Sequence, residues 1–284
     1  MPVDRLSGLL ERFRVRVQLH HAGMLCGLNQ FDASEGHGYL HVLRRGALEV
    51  SHPGSRELPK SLRFTEPALL FYPRPLTHRF RNPPDEGSDF TCARLDVDGG
   101  AAHPLMRALP PLIALPLARV PGLGAALDLL FAETDRVRCG QRLLADRLFE
   151  VVVIQLLRWL LDHPHEAGVQ PGLVTGLSDP RLSRALVAMH DAPGEAWTLE
   201  RMAERAGMSR TAFATTFRDV VGQTPADYLA GWRIALAQNR LREGRSIKWL
   251  ADELGYANAS ALSRAFAAKT GMSPRVWLAH EPGR

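Results

Sequence analysis

The sequence predicts an α+β protein of two domains: an N-terminal β-barrel with flanking helices, then an all-α domain that repeats one helix, turn and helix unit twice. Three observations carry this. Between Arg14 and Val97, short β-prone runs ("YLHVL", "ALEVS", "ALLFY", "FTCARLDV") alternate with Pro, Gly and Asp punctuation, the pattern of a small barrel or sandwich. Toward the C-terminus the apolar residues fall at helical spacing and recur at a fixed offset. A chain of 284 residues is also long enough for two cores.

Charge divides the chain in the same way. Residues 179–284 hold 15 Lys and Arg against 11 Asp and Glu, while the remainder holds 20 against 19. Nearly all of the net +5 therefore sits in the C-terminal part, as in a domain that meets a polyanion. No apolar run approaches the roughly 18 residues of a membrane span. The stretch from Met1 to Glu11 lacks the apolar run and cleavage site of an export signal. The expected location is the cytoplasm, with no membrane contact. Cys26, Cys92 and Cys139 are too few and too scattered for a disulfide framework. Cys139 reads as incidental, although Arg136, Arg138 and Arg142 around it are a setting that lowers a thiol pKa.

The repeat is the strongest signal. Thr198, Leu199, Met202, Ala203, Ala206 and Gly207 recur 48 positions later as Ser246, Ile247, Leu250, Ala251, Leu254 and Gly255. Each set is a hydroxyl that caps a helix, an apolar stripe at i, i+3, i+4 and i+7, and a glycine for the left-handed exit. Phe213, Phe217, Gly222, Thr224, Pro225 and Tyr228 then match Leu262, Phe266, Gly271, Ser273, Pro274 and Trp277, offset by 49. Two helix-turn-helix units joined by one helix from Ala226 to Arg242 account for the pattern. The second helix of each unit turns one face inward. Its outer face carries Ser209, Arg210, Thr211, Thr215 and Arg218 in the first copy, and Asn258, Ser260, Ser263 and Arg264 in the second. Small polar residues with one or two arginines suit a major groove, where Arg reads guanine and Ser or Asn reads other base edges. A solvated helix face is the alternative.

From Asp179 to His280 the chain resembles the paired helix-turn-helix domain of the AraC/XylS family. The resemblance is carried by "TLERMAERAGMSRTAFATTFRDVVGQTPADYL", "WRIALAQNRL" and "SIKWLADELGYANASALSRAFAAKTGMSPRVWL". It implies a transcription regulator, an activator or a repressor, whose partners are double-stranded DNA and RNA polymerase. Thr211, Ala214 and Thr215 stand where other members carry longer base readers, so base reading by the first copy is expected to be weak or apolar.

Residues 14–116 resemble the cupin-like sensor domain that precedes many such readers, most clearly in "LCGLNQFDA", "HVLRRGALEV", "EPALLFYPRPLTH" and "TCARLDVDGGAAHPLMRALPPL". The expected organisation is a sensor over 1–121, a helical region over 122–162, a Gly- and Pro-containing linker over 163–178 and the DNA-binding domain over 179–284. In the helical region Leu144, Leu148, Val151, Val152, Gln155, Leu156 and Trp159 form a stripe. It makes a homodimer, as in the family, or only covers the barrel.

A metal-dependent cupin oxygenase needs a His-x-His pair, a carboxylate and a later His. Here Val42, Leu43, Arg44 and Arg45 follow His41, so the catalytic set is incomplete and no enzyme is expected. The competing reading is a small-molecule-binding or catalytic cupin fused to an interaction module, and retention on DNA separates the two. Cys26, His41, His78 and Cys92 remain as one candidate site, because two thiolates and two imidazoles complete a tetrahedral zinc set. They resemble positions in regulators that respond to reactive chlorine. The signal is then a small effector, an oxidant or a metal, unless these four are ordinary core residues.

Overall fold

The computed structural model describes residues 3–100 and 103–280; the outermost residues of the expected domains, 1–2 and 281–284, lie outside them. The chain divides into two compact units. One, residues 15–100 and 109–170, is the β unit; the other, residues 3–14, 103–108 and 171–280, is helical.

In the β unit, the described residues form nine antiparallel strands in two sheets. Strands β1 (Val15–Leu25), β8 (Ser88–Val97), β3 (Gly38–Arg45), β6 (Ala68–Tyr72) and β9 (Ile113–Pro116) lie in that order in one sheet. The second has the order β2 (Leu28–Phe31), β7 (His78–Arg81), β4 (Leu48–Ser51) and β5 (Ser61–Phe64). The expected barrel is therefore two facing sheets of the cupin type and not one closed sheet. Between them lies a core of Phe31, Tyr39, Leu43, Leu48, Val50, Leu70, Tyr72, Phe80, Phe90 and Cys92. Strands β3, β6 and β8 are buried along nearly their whole length, which is why "YLHVL" and "ALLFY" read as continuous apolar runs and not as alternations.

Strand β1 is a sheet edge, and helix α4 (Gln141–Asp162) runs beside it. The Leu19 N–H, at a bulge between Leu19 and His21, donates to the Asp146 carboxylate at 2.6 Å. An exposed edge is thereby covered. Helix α3 (Gly124–Thr134) packs on α4. The stripe anticipated on α4 splits: Val152, Leu156 and Trp159 are buried, whereas Leu144 and Val151 are exposed, as are Leu143 and Ile154 beside them.

The helical unit holds α5 (Leu173–Ser178), α6 (Leu182–Asp191) and six further helices. Those are α7 (Leu199–Ala206), α8 (Arg210–Val221), α9 (Pro225–Arg242), α10 (Ile247–Glu253), α11 (Ala259–Thr270) and α12 (Pro274–Ala279). Two corrections to the expected organisation appear here. The stretch 163–178 is not simply a linker, because α5 buries Leu173, Val174 and Leu177, and Thr175 Oγ1 donates to the Val220 carbonyl at 2.8 Å. The N-terminal helix α1 (Ser7–Arg12) and α2 (Pro104–Ala108), both expected in the sensor, belong to the helical unit. Phe13 packs edge-on against Trp232 of α9 and against His103, and Asn239 Nδ2 donates to the Arg12 carbonyl at 2.9 Å.

Candidate nucleic-acid interface

The repeated pattern becomes a repeated geometry. Thr198, Ser209, Ser246 and Asn258 have extended backbones, and their side-chain oxygens accept the N–H three residues on, at 2.9 to 3.3 Å. This satisfies an orphan donor at the start of all four helices, α7, α8, α10 and α11. Gly207 and Gly255 have φ of +66° and +73°, the exits that bring the second helix of each unit across the first. The two units are clasped to each other: a Cβ on Gly194 would collide with the Glu253 carbonyl, and one on Gly255 with the Gly194 carbonyl. No larger residue fits either position without backbone movement.

Helices α8 and α11 bury Phe213, Phe217 and Val221, and Leu262 and Phe266. Val220, next to Val221, is only half-buried. Of the nine candidate DNA contacts, Arg210, Thr211, Thr215, Arg218, Asn258, Ser260 and Arg264 are exposed together with Ser209, and Ser263 is half-buried. Three have local employment. Ser209 and Asn258 are the caps just described, which leaves the Ser209 O–H and the Asn258 amide nitrogen to meet a ligand. Arg210 pairs with Glu200 at 2.9 Å. Arg245 and Lys248, exposed at the start of α10, are further cations of the second copy that the nine candidates do not include. The signal was present as cations flanking the Ser246 cap.

Between the two units, α8, α9 and the Trp197 segment border a cleft of about 560 Å³ that Arg218 and Arg233 line. Arg233 is held by two backbone carbonyls, donating through Nε to Pro193 at 2.7 Å and through Nη2 to Glu195 at 3.0 Å. Burial lowers its pKa, and it lies over the Tyr256 ring. Arg218 carries the free positive edge, since no ion pair to it exists among the described residues.

The β unit brings together only part of the proposed zinc set. His41 and His78 meet in the core with 2.9 Å between their Nε2 atoms. His78 Nδ1 lies 2.7 Å from the Leu76 carbonyl and must donate to it, so His78 Nε2 accepts and His41 Nε2 donates. His41 Nδ1 is left as a buried acceptor without a partner. Burial lowers both pKa values, that of His78 to about 4, and the pair is neutral. Cys92 lies opposite His41 in the β3–β8 register, fully buried, with its thiol pKa pushed up by burial. Cys26 is elsewhere. It is exposed at the turn after β1, its Sγ against Gly87, beside the Ser88 end of β8. Four residues of strand, about 13 Å, separate Ser88 from Cys92. The four-residue zinc set is thus corrected: among the described residues no three His, Cys, Asp or Glu side chains are placed to hold a metal ion.

The chain matches a cupin family model over residues 4–162 and a helix-turn-helix domain model over residues 202–280. A putative AraC-like transcription regulator of Streptomyces lividans is 35% identical across 98% of this chain and 99% of its own length. The HTH-type transcriptional regulator AlkR of Acinetobacter baylyi is 34% identical across 67% of this chain and 63% of its own length. The RCS-specific HTH-type transcriptional activator RclR of Escherichia coli is 28% identical across 87% of both. No helix among the described residues is long and apolar enough to cross a membrane.

Proposed function

The chain belongs to the AraC-like transcription regulators with an N-terminal cupin domain, and on that premise we propose that it grips DNA with α8 and α11 and regulates transcription from there. The observation that carries this is the duplicated, capped helix pair whose second helices expose small polar residues with Arg218 and Arg264. In such a reader each second helix enters a major groove, and half-sites lie about 10 base pairs apart. Arg264 is assigned a base edge and Arg218 a phosphate or a base.

The cupin unit is the sensor, and the signal it takes is a small effector, an oxidant or a metal. For an oxidant, Cys26 and Cys139 are exposed thiols, while Cys92 is protonated and enclosed. The exposed apolar face of α4 supports a homodimer, and contact with RNA polymerase and a place in the cytoplasm follow from the role. Among the described residues no His, Cys, Asp and Glu side chains converge on a metal site that a cupin-type oxygenase would use.

Selection of bound fragments from the source genome by the full-length protein, followed by footprinting, is the direct test. Two protected major-groove segments on one face of the duplex are expected. Binding equal on all fragments, with no footprint, overturns the reading.

A further inference from the structure

Within the helical unit, α2, α5, α9 and α12 border a groove of about 790 Å³, inside the range of roughly 300 to 1,000 Å³ typical of small-molecule sites. Three features of the groove point to what would fill it. Trp232 lines it and is only 3% exposed, yet its indole Nε1–H has no acceptor. A buried donor without a partner is costly and is rarely left so. Arg107 and Lys269 stand on the walls and no Asp or Glu does. Lys269 lies 3.8 Å from Asp227 outside the lining, and no ion pair to Arg107 exists among the described residues. Trp277, Tyr228 and Ile234 give part of the remaining wall an apolar and aromatic surface, beside the polar Gln223, Gln238 and Thr270.

We propose that this groove binds an organic carboxylate with an apolar body. Such a ligand supplies a negative charge, which no lining side chain carries, and an acceptor for the Trp232 N–H, and its body covers the aromatic part of the wall. Its consequence follows from where the walls come from. Pro104, Arg107 and Ala108 belong to the segment that follows β8 of the sensor, whereas Trp232 and Tyr228 belong to the helix joining the two DNA-reading units. A ligand that touches both favours the state in which that segment is docked on α9. The groove thereby serves as an effector site inside the reader and not in the cupin core. This goes beyond DNA binding, and its test uses no DNA, so its failure leaves the assignment of α8 and α11 untouched.

The experiment titrates full-length protein with 2-naphthoate and with octanoate, using 2-naphthamide and octanamide as neutral controls, by calorimetry and by tryptophan fluorescence. Arg107→Gln changes an exposed side chain, and Trp232→Phe removes the N–H while keeping a ring. The expected result is saturable one-to-one binding of at least one carboxylate, about tenfold weaker for its amide and about tenfold weaker in each variant. Absence of saturation by either carboxylate below about 5 mM overturns the proposal. So does binding of equal strength in wild type and Arg107→Gln, which places the ligand elsewhere.

Discussion

His190 sets an acid limit on the DNA-reading unit. Its ring is 2% exposed, stacks on Trp232 with centroids 3.9 Å apart, and has Nε2 2.6 Å from the Tyr228 hydroxyl. Burial lowers its pKa to about 3, with a smaller push from the Arg12 charge. The folded unit therefore holds His190 neutral, while the unfolded chain takes up a proton near pH 6.5. Because the unfolded state binds more protons below that pH, stability falls as pH falls from 6.5 toward 3. The slope is about 1.4 kcal/mol per pH unit, or about 2 to 3 kcal/mol between pH 6.5 and 4.5. His190→Gln keeps an acceptor for Tyr228 and removes the titration. The assay is urea unfolding of wild type and His190→Gln at pH 7.5, 6.5, 5.5 and 4.5, followed by tryptophan fluorescence, since Trp197, Trp232, Trp249 and Trp277 all lie in this unit. The variant is expected to be less stable at pH 7.5 and to lose less on acidification, so that the two curves converge. Curves that stay parallel from pH 7.5 to 4.5 refute the argument, because His190 would then titrate alike in both states.

The remaining predictions concern the interface, the assembly and the cysteines. Arg264→Ala is expected to cost roughly 1 to 3 kcal/mol at the specific site and to relax base preference there, by competition gel shift; equal loss on specific and random DNA would make Arg264 a phosphate contact. Leu144→Asp with Val151→Asp, both on exposed positions of α4, is expected to leave folding intact and convert a dimer to a monomer in sedimentation, and a wild type that is already monomeric at micromolar concentration with and without DNA removes the dimer. Cys26→Ser is expected to leave metal content of protein purified without a tag unchanged; loss of about one zinc per chain would restore the four-residue set that the structure separates.

How much of this was legible in the sequence depended on whether the signal was local. Caps, glycine exits and apolar stripes act within one turn of helix, so Thr198, Ser209, Ser246 and Asn258 announce both helix pairs before any tertiary contact is considered. The sheet was readable where strands are wholly buried, as in β3, β6 and β8. Strands β2, β5 and β7 of the second sheet mix polar and apolar residues over four positions each and carry no comparable run. Convergence was the weak point. Cys26 lies just past one end of the paired stretch of β1 and β8, while Cys92 sits near its middle opposite His21, a matter of register that spacing in a chain cannot encode.

The least legible feature was the membership of the two short segments around the sensor. Helix α1 and α2 lack length and periodicity, so they were grouped with the strands next to them in sequence. What assigns them is Phe13 against Trp232, the His103 ring against Phe13, and His103 Nε2 beside the Phe13 carbonyl at 3.2 Å. Their positions give the two units a covalent relation that one linker would not. Phe13 lies two positions before β1, α2 follows β8, and Val15 at the start of β1 pairs with Val97 at the end of β8. The chain therefore leaves the sensor's β1–β8 pair twice, side by side, and both exits run into the unit that contains α9. This yields a last prediction. A chain beginning at Pro171 keeps every helix from α5 onward but lacks Phe13, Asn239's carbonyl partner at Arg12, and α2. Losing a buried aromatic from a core costs about 3 to 5 kcal/mol, so this shorter chain should unfold at lower urea than the same helices in the intact protein, while Phe13→Ala in the full chain should reproduce most of the loss. Equal midpoints for the two chains would mean that the sensor's flanking segments contribute nothing to the reader and that any signal passes by another route.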